Sequence, residues 1–270
     1  MIAVKGIAGR VPTLAGMDTL TCTDPQHLAR RVLAALDLTE LADAVDGERI
    51  DRLCRAACGD TGTVAAVCIP AHWLTRARAA LHSLGATNVA LATVVNFPDG
   101  QDSPDTVVRD TAAAIAAGAD EIDLVFPWRA LIAGNERIGH DLVAAGKAAC
   151  GAVRLKVILE SGALHSHALI RRASEVALAA GADFLKTSTG RLPAGASPDA
   201  AAVMLEVLAE HGGRAGLKVS GGVRSLDQAA VYFDLADRRM GPDWASPERF
   251  RIGASRLLDD VRTTLAATRN

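Results

Sequence analysis

The sequence predicts a single (β/α)8 (TIM) barrel. Eight short apolar runs are spaced along nearly the whole chain, each followed by a longer Ala/Leu-rich segment, and several of those segments open with helix-start chemistry. A five-residue repeat, Ala-Ala-Gly-Ala-Asp at 116–120 and again at 179–183, leads twice directly into an apolar run. Strands alternating with helical segments imply a parallel sheet covered by helices, and eight of them in about 230 residues suit a closed barrel. The alternative is a doubly wound sheet, which usually carries a G-x-G-x-x-G turn after its first strand. None appears here.

In order, the expected strands are 33–38, 64–69, 89–95, 121–126, 155–159, 184–187, 215–220 and 250–252. The first has the weakest pattern. Ser103-Pro104-Asp105 and Ser197-Pro198-Asp199 each offer a capping hydroxyl, a proline at the first helical position and an early carboxylate, and Gly118 and Gly212 mark where those helices stop. Ser225 and Gln228 have capping-box spacing and open the amphipathic stretch 226–240. Residues 1–30 fit none of this and are expected as an N-terminal extension, with the barrel over 31–270.

Half of the 270 residues are hydrophobic and the formal net charge is -2, so a sizeable core is expected with no basic excess for nucleic acid or an anionic membrane. No apolar run reaches the roughly 18 residues of a membrane span. The N-terminal stretch is broken by Lys5, Gly9, Arg10, Pro12 and Asp18, so it does not read as a signal peptide. The five cysteines are scattered, with no C-x-x-C pair, which fits buried thiols in a reducing cytoplasm. Cys54 and Cys58 stand four apart with no second Cys or His pair to answer them.

The polar residues inside the expected strands carry the chemistry. There are only five lysines, Lys5, Lys147, Lys156, Lys186 and Lys218, in a chain that otherwise uses Arg. Aligning the two copies of the repeat places Asp123 of strand four opposite Lys186 of strand six, and side chains of alternate strands share a layer inside such a barrel. Asp123, Lys218 and Asp37 each stand between two apolar residues, so period two turns them inward. Burial and a neighbouring cation both favour the neutral form of a lysine, and a neutral amine attacks carbonyls. Lys186 and Lys218, on adjacent strands near the carboxyl ends, therefore point to Schiff-base chemistry, with Asp123 and Asp37 to move protons and balance charge. The bland alternative is an ion-pair layer without a reaction. Lys156, early in strand five, is expected to be structural.

Glycine-rich ends follow strands six to eight: Thr189-Gly190-Arg191, Ser220-Gly221-Gly222 and Gly253-Ala254-Ser255. Exposed backbone N–H groups there suit a phosphate, with Arg191 adding positive charge. The histidines fall in expected loops and helices, and no carboxylate and histidine set at strand ends builds a metal site, so a reaction without metal or other cofactor is expected.

At these residues the sequence resembles the deoxyribose-phosphate aldolases, which are class I aldolases. The match runs from Asp37-Leu38-Thr39 to about residue 258, and its most specific pieces are Val95-Asn96-Phe97-Pro98, GADEIDLVFPWRALIAGN at 118–135, DFLKTSTG at 183–190, KVSGGVR at 218–224 and RIGAS at 251–255. The resemblance implies reversible cleavage of 2-deoxy-D-ribose 5-phosphate to D-glyceraldehyde 3-phosphate and acetaldehyde. It implies Lys186 as the Schiff-base lysine, Asp123 and Lys218 as proton-transfer partners, Asp37 as an extension of that relay, and Gly190, Arg191, Gly221, Gly222 and Ser255 around the phosphate. Family members are often dimers, so a homodimer is expected. Val219 and Arg256 depart from the residues usual in the family, and neither is a reacting group. Another Schiff-base aldolase, or a non-catalytic phosphosugar-binding barrel, are the competing expectations.

Overall fold

Eight parallel strands close into a barrel in the computed structural model, which describes residues 24–267. The strands are β1 (Leu36–Thr39), β2 (Ala66–Cys68), β3 (Ala90–Val95), β4 (Glu121–Val125), β5 (Arg154–Ile158), β6 (Phe184–Lys186), β7 (Gly216–Ser220) and β8 (Phe250–Ala254). Each pairs with its sequence neighbour, and β8 returns to β1 with Asp37 opposite Gly253. The barrel is thus observed as expected.

The first strand is shifted from its expected place. Helix α1 (Pro25–Ala34) occupies the start of the expected run, and only Leu36–Thr39 are extended. The apolar inner face of the helix (Ala29, Val32, Leu33) runs into the strand without a Gly or Pro to mark the junction. This helix begins inside the segment expected as an extension. It packs against the helices Leu226–Met240 and Leu257–Ala266, and Arg31 reaches Asp237 through two hydrogen bonds of 2.7 Å. Residues 1–23 lie outside the described residues.

The expected helix starts are present. Ser103 caps the helix Pro104–Ala116 and Ser197 caps the helix Pro198–Glu210, each hydroxyl accepting an N–H of the first turn at 3.2 Å. Ser225 caps the helix Leu226–Met240 at 3.3 Å, but Gln228 reaches back one residue further than a capping box requires, accepting from Arg224 N at 2.7 Å. The apolar core lies between the barrel and its helices, where Leu91, Ile122, Leu124, Leu155, Val157, Leu185, Leu217 and Val219 are buried outward. The inward residues alternate with these. On β2 and β3 they are small and apolar: Ala66, Cys68 and Ala92 form a separate buried cluster. On each of the other strands they include at least one buried charged residue.

Candidate active site

Register brings the predicted residues to one place. Lys186, the last residue of β6, stands opposite Lys218 on β7, while Asp123 on β4 stands opposite Lys156 on β5. Lys186 Nζ and Lys218 Nζ both donate to Asp123 Oδ2, each at 2.8 Å. Asp123 Oδ1 accepts from Lys156 Nζ at 2.7 Å. Asp37 on β1 lies 2.6 Å from Lys218 through Oδ2, an ion pair without hydrogen-bond geometry, and its Oδ1 accepts from Arg251 at 2.6 Å. Lys186 is 2% exposed, and Asp37, Asp123, Lys156 and Lys218 are fully buried.

Lys156, although early in its strand, lies within the cluster rather than apart from it. Its long side chain climbs from mid-strand into the centre, where it also lies 2.6 Å from Glu121 and 3.7 Å from Asp37. Two further charged residues were missed. Glu121 and Arg251 sit below the cluster, 2.9 Å apart, and both are buried. Period two turns Glu121 inward with Asp123, two residues on, but a carboxylate at the start of a strand reads equally as a solvated end.

Burial sets the electrostatics. It is the largest influence on Lys186 and holds its amine below the ordinary lysine range, although Asp123 opposes this; Lys218 adds to the lowering. Burial acts on Lys218 in the same sense, but Asp123 and Asp37 together outweigh it and its ammonium is held more firmly than usual. Burial would raise Asp123, yet Lys156, Lys186 and Lys218 surround it and hold it well below the usual carboxylate range. The difference between the two lysines is geometric: Lys218 touches two carboxylates and Lys186 touches one. An amine poised toward its neutral form, beside a fixed ammonium and a shared carboxylate, is a nucleophile with a proton relay attached.

Above this layer, at the carboxyl ends of the strands, lies a cleft of about 370 Å³. Thr189, Gly190, Arg191, Gly221, Gly222, Gly253 and Ser255 all line it, together with Thr39, Arg224 and Arg256. The N–H groups of Gly190, Gly221, Gly222 and Val223 donate to no acceptor among the described residues. Gly221 is required where it stands: its φ is +93°, and a Cβ would lie 3.0 Å from the Cα of Gly195. Gly253 serves the lysine layer as well, since a Cβ there would lie 3.0 Å from Lys218 Cε. Arg191 turns across the mouth toward the loop after β1, donating to Asp43 at 2.8 Å and to Leu41 O, with its guanidinium 5.6 Å from the Phe97 ring.

Glu160 was also missed. It follows β5 in the left-handed conformation, φ 56°, is 1% exposed, and accepts from Thr189 Oγ1 at 2.5 Å. Nothing in a lone carboxylate after a strand announces that geometry. Asn96 shows what Val95-Asn96-Phe97-Pro98 does locally: its side chain donates to Val125 O at 2.8 Å and accepts from Asp102 N at 2.7 Å, tying the loop after β3 to the end of β4.

Among the described residues no group of three or more His, Cys, Asp and Glu side chains is arranged to hold a metal, the central carboxylates being engaged by Lys and Arg. A second cleft, about 670 Å³, opens at the amino ends of the strands. Its charges are largely paired with each other, as in Lys147 with Asp183 and Arg154 with Glu121, and no reacting geometry is found there.

Comparison with known families places the chain. Residues 31–245 match the model of the DeoC/LacD family aldolases. The chain belongs to that family. Among solved structures, the apo form of a provisionally assigned deoxyribose-phosphate aldolase from Toxoplasma gondii is 28% identical and superposes with a TM-score of 0.84, covering 90% of this chain and 97% of that one. A provisionally assigned deoxyribose-phosphate aldolase from Coccidioides immitis is 27% identical, with a TM-score of 0.75 over 87% of each chain. The tetrameric deoxyribose phosphate aldolase of Aeropyrum pernix, at 24% identity and a TM-score of 0.71, shares the fold. This DeoC/LacD aldolase is thus an aldehyde-lyase on a TIM barrel. No helix among its described residues is long and apolar enough to cross a membrane.

Proposed function

We propose that this aldolase reversibly cleaves 2-deoxy-D-ribose 5-phosphate to D-glyceraldehyde 3-phosphate and acetaldehyde through a Schiff base on Lys186. The observation that carries this is the amine of Lys186, lowered by burial and sharing Asp123 Oδ2 with the charged Lys218, beneath a cleft rich in free backbone N–H groups. Ser220 at the cleft wall stands two positions beyond Lys218, about 6.6 Å along a strand. That depth suits a carbonyl carbon at the lysine layer and a phosphate at the glycine rim.

In the cleavage direction the Lys186 amine attacks the C1 aldehyde of the open-chain sugar, giving a carbinolamine that loses water to become an iminium. The C3 hydroxyl gives up its proton, the C2–C3 bond breaks, and its electrons enter the iminium to form an enamine as glyceraldehyde 3-phosphate leaves. Protonation of the enamine at C2 and hydrolysis then release acetaldehyde and the free amine. Asp123 and Lys218 are the proton carriers, and Asp37 holds Lys218 charged from behind. The small side chains of Cys68, Ala66 and Ala92 give the acetaldehyde-sized end an apolar wall. The phosphate is held by Gly190, Gly221, Gly222 and Ser255, with Thr189 shaping the loop and Arg191 bracing it.

The side chains of Lys186, Asp123 and Lys218 supply this chemistry without a cofactor. The free thiols of Cys54, Cys58, Cys68 and Cys150 support the cytoplasm as its compartment, and the resemblance supports a homodimer. A donor screen tests the substrate. Acetaldehyde with glyceraldehyde 3-phosphate should be condensed at least a hundredfold faster than dihydroxyacetone phosphate with the same acceptor; the reverse preference assigns the barrel to another Schiff-base aldolase.

A further inference from the structure

The amino-terminal half of a barrel interior is ordinarily the stabilising half, and Arg251 and Glu121 occupy it here. Their placement ties them to the nucleophile. Arg251 Nη1 donates to Asp37 Oδ1 at 2.6 Å and Arg251 Nη2 donates to Glu121 Oε1 at 2.9 Å. Glu121 Oε2 lies 2.6 Å from Lys156 Nζ, which in turn holds Asp123. Two chains of contact, Arg251–Asp37–Lys218 and Glu121–Lys156, therefore rise from the floor and converge on Asp123, the first at Oδ2, where Lys186 is also bound, and the second at Oδ1.

The charges in this enclosed set can be counted. Asp37, Glu121 and Asp123 are negative; Lys156, Lys218 and Arg251 are positive; each is at most 4% exposed. The six cancel, so the buried layer is neutral only while Lys186 is uncharged. A surplus charge in an enclosed layer costs far more than one at the surface. Arg154 reaches Glu121 from outside, but its side chain is 32% exposed and water screens it. The other titratable groups facing Lys186 are the buried thiol of Cys68, which burial keeps protonated, and Glu160 at the rim, which carries its own hydrogen bonds from Thr189.

We propose that the Arg251–Glu121 pair at the barrel floor is a positioning element for the reaction, fixing the charge of the buried layer so that Lys186 is the one group left uncharged. Taking away Arg251 leaves three carboxylates with two cations, and Lys186 takes a proton to balance them. Taking away Glu121 leaves a surplus cation, and Lys186 resists protonation further. A pair that served only to hold the floor together would change stability and leave the titration of Lys186 where it was.

This rests on Lys186 being the Schiff-base lysine, and its test does not use the aldolase reaction. Trace labelling with formaldehyde and cyanoborohydride, read by peptide mass across pH, gives the midpoint at which the Lys186 amine becomes free. Relative to wild type, Arg251→Met should raise that midpoint by about one pH unit, some tenfold less free amine below it, and Glu121→Gln should lower it by about one. The double variant Glu121→Gln/Arg251→Met should return to within about a third of a unit. If the single variants do not fold, that balanced double is compared with Glu121→Gln/Arg251→Lys, which keeps one excess cation and should titrate about one unit lower. Folded single variants with unmoved midpoints, or two doubles with equal midpoints, overturn the proposal. Shifted midpoints in a protein that does not turn over deoxyribose phosphate would leave this inference standing and remove the substrate assignment instead.

Discussion

Lys186 and Lys218 stand opposite each other on β6 and β7 and hydrogen-bond the same oxygen, Asp123 Oδ2, at the same distance of 2.8 Å. What separates their chemistry is the second carboxylate: Asp37 lies 2.6 Å from Lys218. One lysine is thereby fixed as an ammonium and the other is left as the group whose charge is most easily given up.

Asp123 is the hinge of this arrangement, so Asp123→Asn should do double damage. Three amines would surround a neutral amide, a buried charge imbalance worth about 3–5 kcal/mol of stability, and the proton relay would lose its shared acceptor, at a cost of about 10²–10⁴ in turnover. Urea unfolding and steady-state kinetics on the same preparation check both effects. A stable Asn variant with more than a tenth of wild-type turnover would contradict them.

Lys186→Met should separate function from stability. A lysine whose amine is pushed toward neutrality by burial is a cost to the fold, and Asp123 keeps Lys156 and Lys218 as partners when it is gone. Activity should vanish, while the melting temperature stays level or rises by roughly 2–4 °C, about 1 kcal/mol. Thermal unfolding followed by circular dichroism reads this directly.

The buried carboxylates predict a defined acid limit. Asp37, Glu121 and Asp123 all titrate below their ordinary values in the folded protein. Their folded-state pKa is depressed, so the stability they contribute is fully present above the unfolded carboxylate range, near pH 4–5, and is lost as the pH falls through and below it. Chemical denaturation should give a nearly constant contribution from them between pH 5 and about 8 and a steep fall below about pH 4. Loss beginning near pH 6 would mean that these groups are not held ionised.

Gly253→Ala tests the link between the glycine rim and the lysine layer. The added methyl would meet Lys218 Cε at 3.0 Å and Ser220 Oγ at 3.1 Å, so the Lys218 side chain must give way. Turnover should fall by about tenfold or more even on unphosphorylated 2-deoxyribose, whereas Arg256→Ala, at the outer rim of the cleft, should raise KM for the phosphorylated sugar alone. Equal effects of both variants on both substrates would contradict this division of the site.

The meeting of Asp123 with Lys186 was legible in the sequence because the repeat before β4 and β6 gave the two strands a common frame. The inward direction of Asp37 and Lys218 was legible from alternation alone. The depth of Lys156 was not, because position along a strand locates a Cα and a lysine side chain carries its charge several ångströms further. Glu121 and Arg251 obeyed the same alternation, but a carboxylate at a strand start looks like a solvated end until the partner from β8 is known. The start of β1 was misplaced because helix face and strand are equally apolar there. The left-handed backbone of Glu160 leaves no mark in composition or spacing.

The central claim is that Lys186 forms the Schiff base. Borohydride reduction in the presence of acetaldehyde, with intact mass and peptide mapping of wild type and Lys186→Ala, tests it directly. The account predicts one ethyl group on Lys186 of the wild type and none on the variant; a folded wild-type protein that acquires no adduct, or acquires it on another lysine, would contradict it.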